Sequence, residues 1–141
     1  MDDDLGGCMS VVWATTSPES GRFSPGERRS DVMGLSDRFS KLRSRGQGYL
    51  EVRLPDGEFP QLTLGFRGDQ AVIHLINDAA GMSLLVGDGT VPSGAVVDVP
   101  IMDELTEFTG DFVLSVDRAW ALVRNFIRME APSGLGEWCE L

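Results

Sequence analysis

The chain has 141 residues, 42% of them hydrophobic, and its 22 acids against 12 bases leave a formal net charge of -10. That length and apolar content suit one domain with its own core, spanning 1–141, and exclude a chain disordered throughout. The charge disfavours nonspecific nucleic-acid binding; no apolar run approaches the ~20 residues of a membrane helix, and MDDDLGG lacks the basic segment of a secretory signal, so a cytoplasmic setting is expected.

MSVVWATT, residues 9–16, is rich in β-branched and aromatic residues and predicts a first strand. Residues 16–30, TSPESGRFSPGERRS, hold Pro, Gly, Ser and charges without a stable period and predict a flexible loop. Val32, Leu35, Phe39 and Leu42 share a helical face, with Asp31 or Ser36 as start and Gly46 as stop, predicting a short helix near 32–45. From 48 to 99 the period changes to that of strands. YLEVRL, QLTLGF, AVIHLI, MSLLVG and AVVDVP are separated by turn-forming stretches too short for crossover helices, so they predict an antiparallel meander. LTEFTGDFVLS supplies a further edge strand or an irregular return. Residues 115–130, SVDRAWALVRNFIRME, give the clearest helix: Ser115 or Asp117 caps it, and Val116, Ala119, Trp120, Val123, Phe126 and Ile127 form one apolar side. Pro132 ends it, Gly134 and Gly136 turn the chain, and Trp138 enters a short C-terminal strand. The expected fold is therefore α+β, a mostly antiparallel sheet packed by two helices.

Charge is segregated along the chain. Arg22 to Arg53 contains eight Lys or Arg, whereas no base lies between Arg67 and Arg118, an interval holding Asp69, Asp78, Asp88, Asp98, Asp103, Glu104, Glu107 and Asp111. On a shared face these acids would steer a basic partner; scattered, they merely solvate loops. The lone His74 has the parity of Val72 and Ile76 and reads as a core or sheet-surface histidine rather than a base. Cys8 and Cys139 read as free thiols, although a disulfide is possible on count alone. One histidine and two distant cysteines do not make a zinc site. VGDGTVPSG lacks GxxxxGK and GxGxxG and reads as a turn, and IMDELTEFTGD lacks calcium-loop spacing. No catalytic, metal or cofactor residue is assigned. Arg38, Lys41 and Arg45 can share one side of a helix, which keeps a nucleic-acid-binding or protein-binding adaptor as the alternative, with a small hydrolase behind it.

Leu62, Leu64 and Gly65 before His74 and Gly81, then Phe108 and Gly110 before Val113, then the helix from Val116 to Met129 followed by Pro132 and Trp138, together resemble the Imm1 family of bacterial immunity proteins over residues 31–141. The chain departs from the family pattern at Met129-Glu130-Ala131, where a Gly is usual, and in a longer link from Pro132 to Trp138. The resemblance implies a small non-catalytic α+β protein that binds and neutralises a cognate polymorphic toxin, commonly an enzyme acting on nucleic acid such as a deaminase or nuclease. It implies no cofactor, no membrane partner and no direct nucleic-acid contact. Trp120, Phe126, Pro132 and Trp138 map onto the family's closing features, as structural residues. The toxin-facing candidates are Phe59, Asp78, Asp88, Asp98, Asp103, Glu104, Glu107, Phe108, Asp111 and Phe112, acids to meet a basic toxin surface and aromatics to anchor it.

Overall fold

Short turns between Gln47 and Leu85 leave each strand its sequence neighbour as the nearest partner. The computed structural model, which describes residues 10–78, 81–129 and 132–141, realises that pairing. β3 (Gln47–Arg53), β4 (Gln61–Arg67), β5 (Gln70–Ile76) and β6 (Met82–Leu85) form a continuous antiparallel meander. Only Gly68 and Asp69 separate β4 from β5, and Gly68 takes the left-handed φ of 60° that such a tight reversal favours. Two helices pack on the sheet, α1 (Val32–Arg45) and α2 (Val116–Met129), and β10 (Trp138–Glu140) closes one edge. The protein is α+β and mostly antiparallel, as its hydrophobic periods predict.

Three placements correct or complete these expectations. First, residues 16–30 are not all loop. Ser17 to Arg22 make a turn, but Phe23–Ser30 is a strand, β2, paired antiparallel with β1 (Val11–Thr16). An edge strand keeps one side in solvent, so it tolerates the Pro25, Gly26, Arg28 and Arg29 that made the segment look like a loop. Second, β1, predicted only as a first strand, finds its partners on both sides. It lies between β2 and β3, antiparallel to both, so β2 and β3 run parallel and α1 is their crossover. Third, AVVDVP does not extend the meander. The outer side of β6 is occupied by β10, with Trp138 opposite Leu85 and Glu140 opposite Ser83, so the chain leaves the sheet there. β7 (Val96–Ile101) pairs only with β8 (Glu104–Thr109), as a separate two-stranded ribbon. The short β9 (Leu114–Ser115) then returns to pair with β5 and leads into α2.

The local signals for both helices are visible. The Asp31 carboxylate accepts the Gly34 N–H at 2.9 Å to cap α1, and Gly46 ends it at φ 99°. The Ser115 hydroxyl accepts the Arg118 N–H at 3.2 Å at the start of α2. Leu35, Phe39 and Leu42 from α1, with Ala119, Val123, Phe126 and Ile127 from α2, cover Leu50, Val52, Leu62, Leu64, Phe66 and Ile73. Phe39 stacks on Trp120 with centroids 4.3 Å apart and meets Phe66 edge-on at 5.4 Å, tying both helices to the sheet. Phe126 is fully buried, a side chain whose burial stabilises by roughly 1.5–3 kcal/mol.

The opposite face carries a smaller core. Val72 and Leu84 meet Val91, Val99 and Val113, with Val97, Ile101, Phe108 and Phe112 packed around them. Gly65 allows this approach: a Cβ there would fall on the Pro100 carbonyl oxygen. The molecule is thus layered as helices, main sheet and ribbon. Pro132 opens a single 3-10 turn, and its carbonyl accepts the Trp138 Nε1–H at 3.0 Å. Cys8 and the Glu130–Ala131 link lie outside the described residues.

Candidate interaction surface

Alternation along the ribbon turns Val97, Val99 and Ile101 toward the sheet, which leaves Val96 exposed and Asp98 half-buried on the other face, while Pro100 is itself buried. Its register sets Asp98 directly opposite Glu107. Two carboxylates in that relation repel, so each weakens the ribbon that carries it. The ion pairs among the described residues, Lys41–Asp37, Arg43–Asp117 and Arg53–Glu27, include no ribbon residue. The same outward strands expose Val96 and Leu105, 58% and 52% accessible. Acidic charge and apolar surface therefore coincide on one projecting element.

At the tip, Asp103 accepts the Phe23 N–H at 2.7 Å, which fastens the ribbon to the start of β2. Met102 beside it holds φ 58°, a backbone region a side chain rarely adopts, and is half exposed. A cavity of about 440 Å³ opens beneath the tip, between Arg45, Met102, Asp103 and Leu105. At the far end, Asp111 and Phe112 lie in the 3-10 turn after β8. Phe112 packs against the smaller core, and the Asp111 carbonyl accepts the Gly87 N–H at 2.6 Å.

The sequence candidates thus separate into groups. Asp98, Asp103, Glu104, Glu107, Phe108, Asp111 and Phe112 are gathered on the ribbon and its exit turn. Phe59 and Asp78 lie elsewhere, in the turns at the strand ends marked by Arg53, Gln61 and Ile76. Phe59 is 41% exposed, and the Asp78 carboxylate accepts the Gly81 N–H at 2.7 Å. Asp88 has a structural employment: it accepts the Thr90 N–H at 3.0 Å, the Thr90 hydroxyl, and the Ser115 N–H at 3.1 Å. Partial burial works to raise its pKa, but these hydrogen bonds outweigh it and hold the carboxyl below the ordinary range.

A polar row on the ribbon side of the sheet is legible only with the register in hand. Ala14, Glu51, Thr63, His74 and Leu84 stand side by side across five strands. Tyr49 donates its hydroxyl to Glu51 at 2.8 Å, and burial first, then the Glu51 charge, push the phenol far above its usual pKa. Arg53 grips Glu27 with two N–H groups, both at 2.9 Å, and reaches the Gly57 carbonyl at 3.1 Å. The sequence signal was the alternation of Glu51 and Arg53 with Leu50 and Val52; Glu27 was hidden in the segment read as loop.

His74 meets Phe108 edge-on at 5.6 Å, so the ribbon partly covers it. Burial lowers its pKa and favours the neutral imidazole. Glu51 stands two strands away, about 10 Å by strand spacing, too far for direct proton exchange. With Glu51 engaged by Tyr49 and with Ala14, Thr63 and Leu84 buried, this row is largely internal packing.

No family model matches the chain, and no curated protein does. A crystal structure of a hypothetical protein from Neisseria gonorrhoeae is similar in fold. It has a TM-score of 0.57 at 15% identity, with 94% of this chain and 96% of that chain covered. At that identity the likeness concerns architecture alone.

The basic residues make local contacts of their own. Arg38 lies over the Trp13 ring at 5.4 Å, with Arg28 also near it at 5.8 Å. Lys41 pairs with Asp37 at 3.6 Å, and Arg45 donates to the Pro18 carbonyl at 3.0 Å. Among the described residues no three His, Cys, Asp or Glu side chains are grouped to hold a metal ion, and no helix is long and apolar enough to cross a membrane.

Proposed function

We propose that this chain is a cytoplasmic immunity protein of the Imm1 type, which binds a cognate toxin domain and blocks it by steric and electrostatic occlusion. The toxin is read as an enzyme acting on nucleic acid, a deaminase or nuclease, whose substrate-binding face must be basic to hold phosphates. The observation that carries the reading is the Asp98–Glu107 pair, two like charges held opposite each other on a projecting ribbon. Such a pair costs the free protein stability, and a basic surface docked on it would turn that cost into attraction. Val96 and Leu105 supply exposed apolar contact beside the charges, where retention of a complex is decided. The protein itself has no turnover in this scheme.

Co-expression with the toxin-like protein encoded beside it tests the proposal. Rescue of growth and copurification of the pair are expected. Replacing Asp98, Asp103, Glu104, Glu107 and Asp111 by their amides should slow association and flatten its salt dependence. Undiminished association and protection after that replacement would remove the ribbon from the interface.

A further inference from the structure

Each β-sheet edge in this protein is a row of backbone groups with or without a defence against pairing. β2, at one edge of the main sheet, carries Pro25, Gly26, Arg28 and Arg29, and its register with β1 shifts between Trp13 and Thr15. β10, at the other edge, is only three residues long. β7 contains Pro100, which has no N–H to offer. β8 differs from all three. Its six residues, Glu-Leu-Thr-Glu-Phe-Thr, hold no Pro, Gly or Lys, and it pairs with β7 in unbroken register from Ile101–Glu104 to Val96–Thr109. β7 is its only strand partner, so its outer backbone edge has no ladder among the described residues.

We infer that the β8 edge is a docking site for an extended strand of a basic partner, which would add a third strand to the ribbon. The charges select the occupant. Glu107 on β8, with Asp98 opposite it across the ribbon, attracts a strand bearing Lys or Arg at the alternate positions of that one face, whereas Glu104, opposite Ile101, lies on the other face and adds negative charge near the tip. A second copy of this chain is disfavoured by the same residues, because edge-to-edge pairing would put two sets of Glu104 and Glu107 on one ribbon. Backbone hydrogen bonds give such docking affinity without a deep pocket, and the exposed Leu105 gives the incoming strand an apolar contact. The identity of the partner as a toxin rests on the immunity reading; the pairing edge itself rests on the strand inventory above.

The test uses isotope-labelled full-length protein and an end-blocked peptide of alternating Lys and Val, six residues long, followed by amide chemical shifts and hydrogen exchange. Alternate amides within 104–109 should shift, and their exchange should slow about tenfold at a peptide concentration ten times Kd. The same peptide with Glu for Lys should bind at least about tenfold more weakly, as expected for like-charge juxtaposition worth some 1.4 kcal/mol or more. Leu105→Pro removes an outward-pointing backbone donor of β8 and spares the even-numbered donors that, in register with the Gly110 N–H to the Ala95 carbonyl, hold β7; it should abolish protection, with Leu105→Ala as the folding and side-chain control. Shifts confined to β2 or β10, or salt-sensitive shifts without slowed exchange in β8, would overturn the docking mode. If the neighbouring toxin copurifies while β8 amides exchange as in the free protein, the docking mode falls and the immunity reading stands. If β8 pairs with the peptide but no toxin is neutralised, the edge stands and the immunity reading falls.

Discussion

Gly65→Ala tests how the ribbon is seated. The added methyl would overlap the Pro100 carbonyl oxygen, which is backbone and has no rotamer by which to escape. Restoring an ordinary C···O contact of about 3.3 Å or more requires the ribbon to move by roughly 1 Å. Overpacking of this kind costs roughly 2 kcal/mol, which for a domain of this size lowers Tm by about 6–10 °C. Gly94→Ala is the control, since a Cβ at Gly94 meets nothing within 4 Å, and it should stay within about 0.5 kcal/mol of the parent. Thermal unfolding by circular dichroism measures both, and amide shifts report the displacement directly. The Gly65 variant should perturb β7 and the His74–Phe108 contact while leaving α1 unchanged. An unchanged Tm with unchanged β7 shifts would refute the claim that Gly65 admits the ribbon.

Other consequences follow from features at a distance from that contact. Asp31→Ala removes the side-chain cap of α1 and should cost about 1 kcal/mol, readable as a lower urea midpoint at constant slope. Deleting residues 135–141 removes β10 and the buried Leu135; losing that burial alone, about 1.5–3 kcal/mol, should lower Tm by roughly 5–10 °C before it affects recognition. Retained Tm with lost partner binding would instead place the C-terminal segment in the interface. His74 has a folded pKa below the ordinary 6.5, so the unfolded chain binds its proton first on acidification. Stability should decline as pH falls through about 6.5 and level off once the folded imidazole also protonates; His74→Gln should remove that slope, and a parent without it would contradict the burial argument.

Both helices were legible in the sequence because their signals are local. Asp31 and Gly46 bound the first, and the apolar spacing from Val116 to Ile127 defines the second. The strands from Gln47 to Leu85 were legible for the same reason, since short turns leave neighbours to pair. What sequence could not supply was set by competition for edges. The loop-like composition of residues 23–30 concealed β2, because an edge strand has an unpaired side on which Pro25 costs nothing. AVVDVP was diverted from the meander because β10, more than fifty residues downstream of β6, holds that edge. The acidic ribbon was half legible: the run of acids was plain, but the opposition of Asp98 and Glu107 depends on a register that only the hairpin turn fixes. The Arg53–Glu27 pair became visible only once β2 was recognised as a strand.

The ribbon joins the body of the protein through side-chain packing and the Phe23–Asp103 clasp, with no strand ladder between the two sheets among the described residues. A residue exchanged on the outward half of β8 therefore shifts no register in the main sheet and leaves the helices on their supports. Under the proposed function, recognition and foldability would in this sense be separately adjustable, with the ribbon as the part to rewrite for a new partner. The same separation implies a rank order of opening, in which the ribbon lifts away at lower free energy than β3, β4 and β5 unpair.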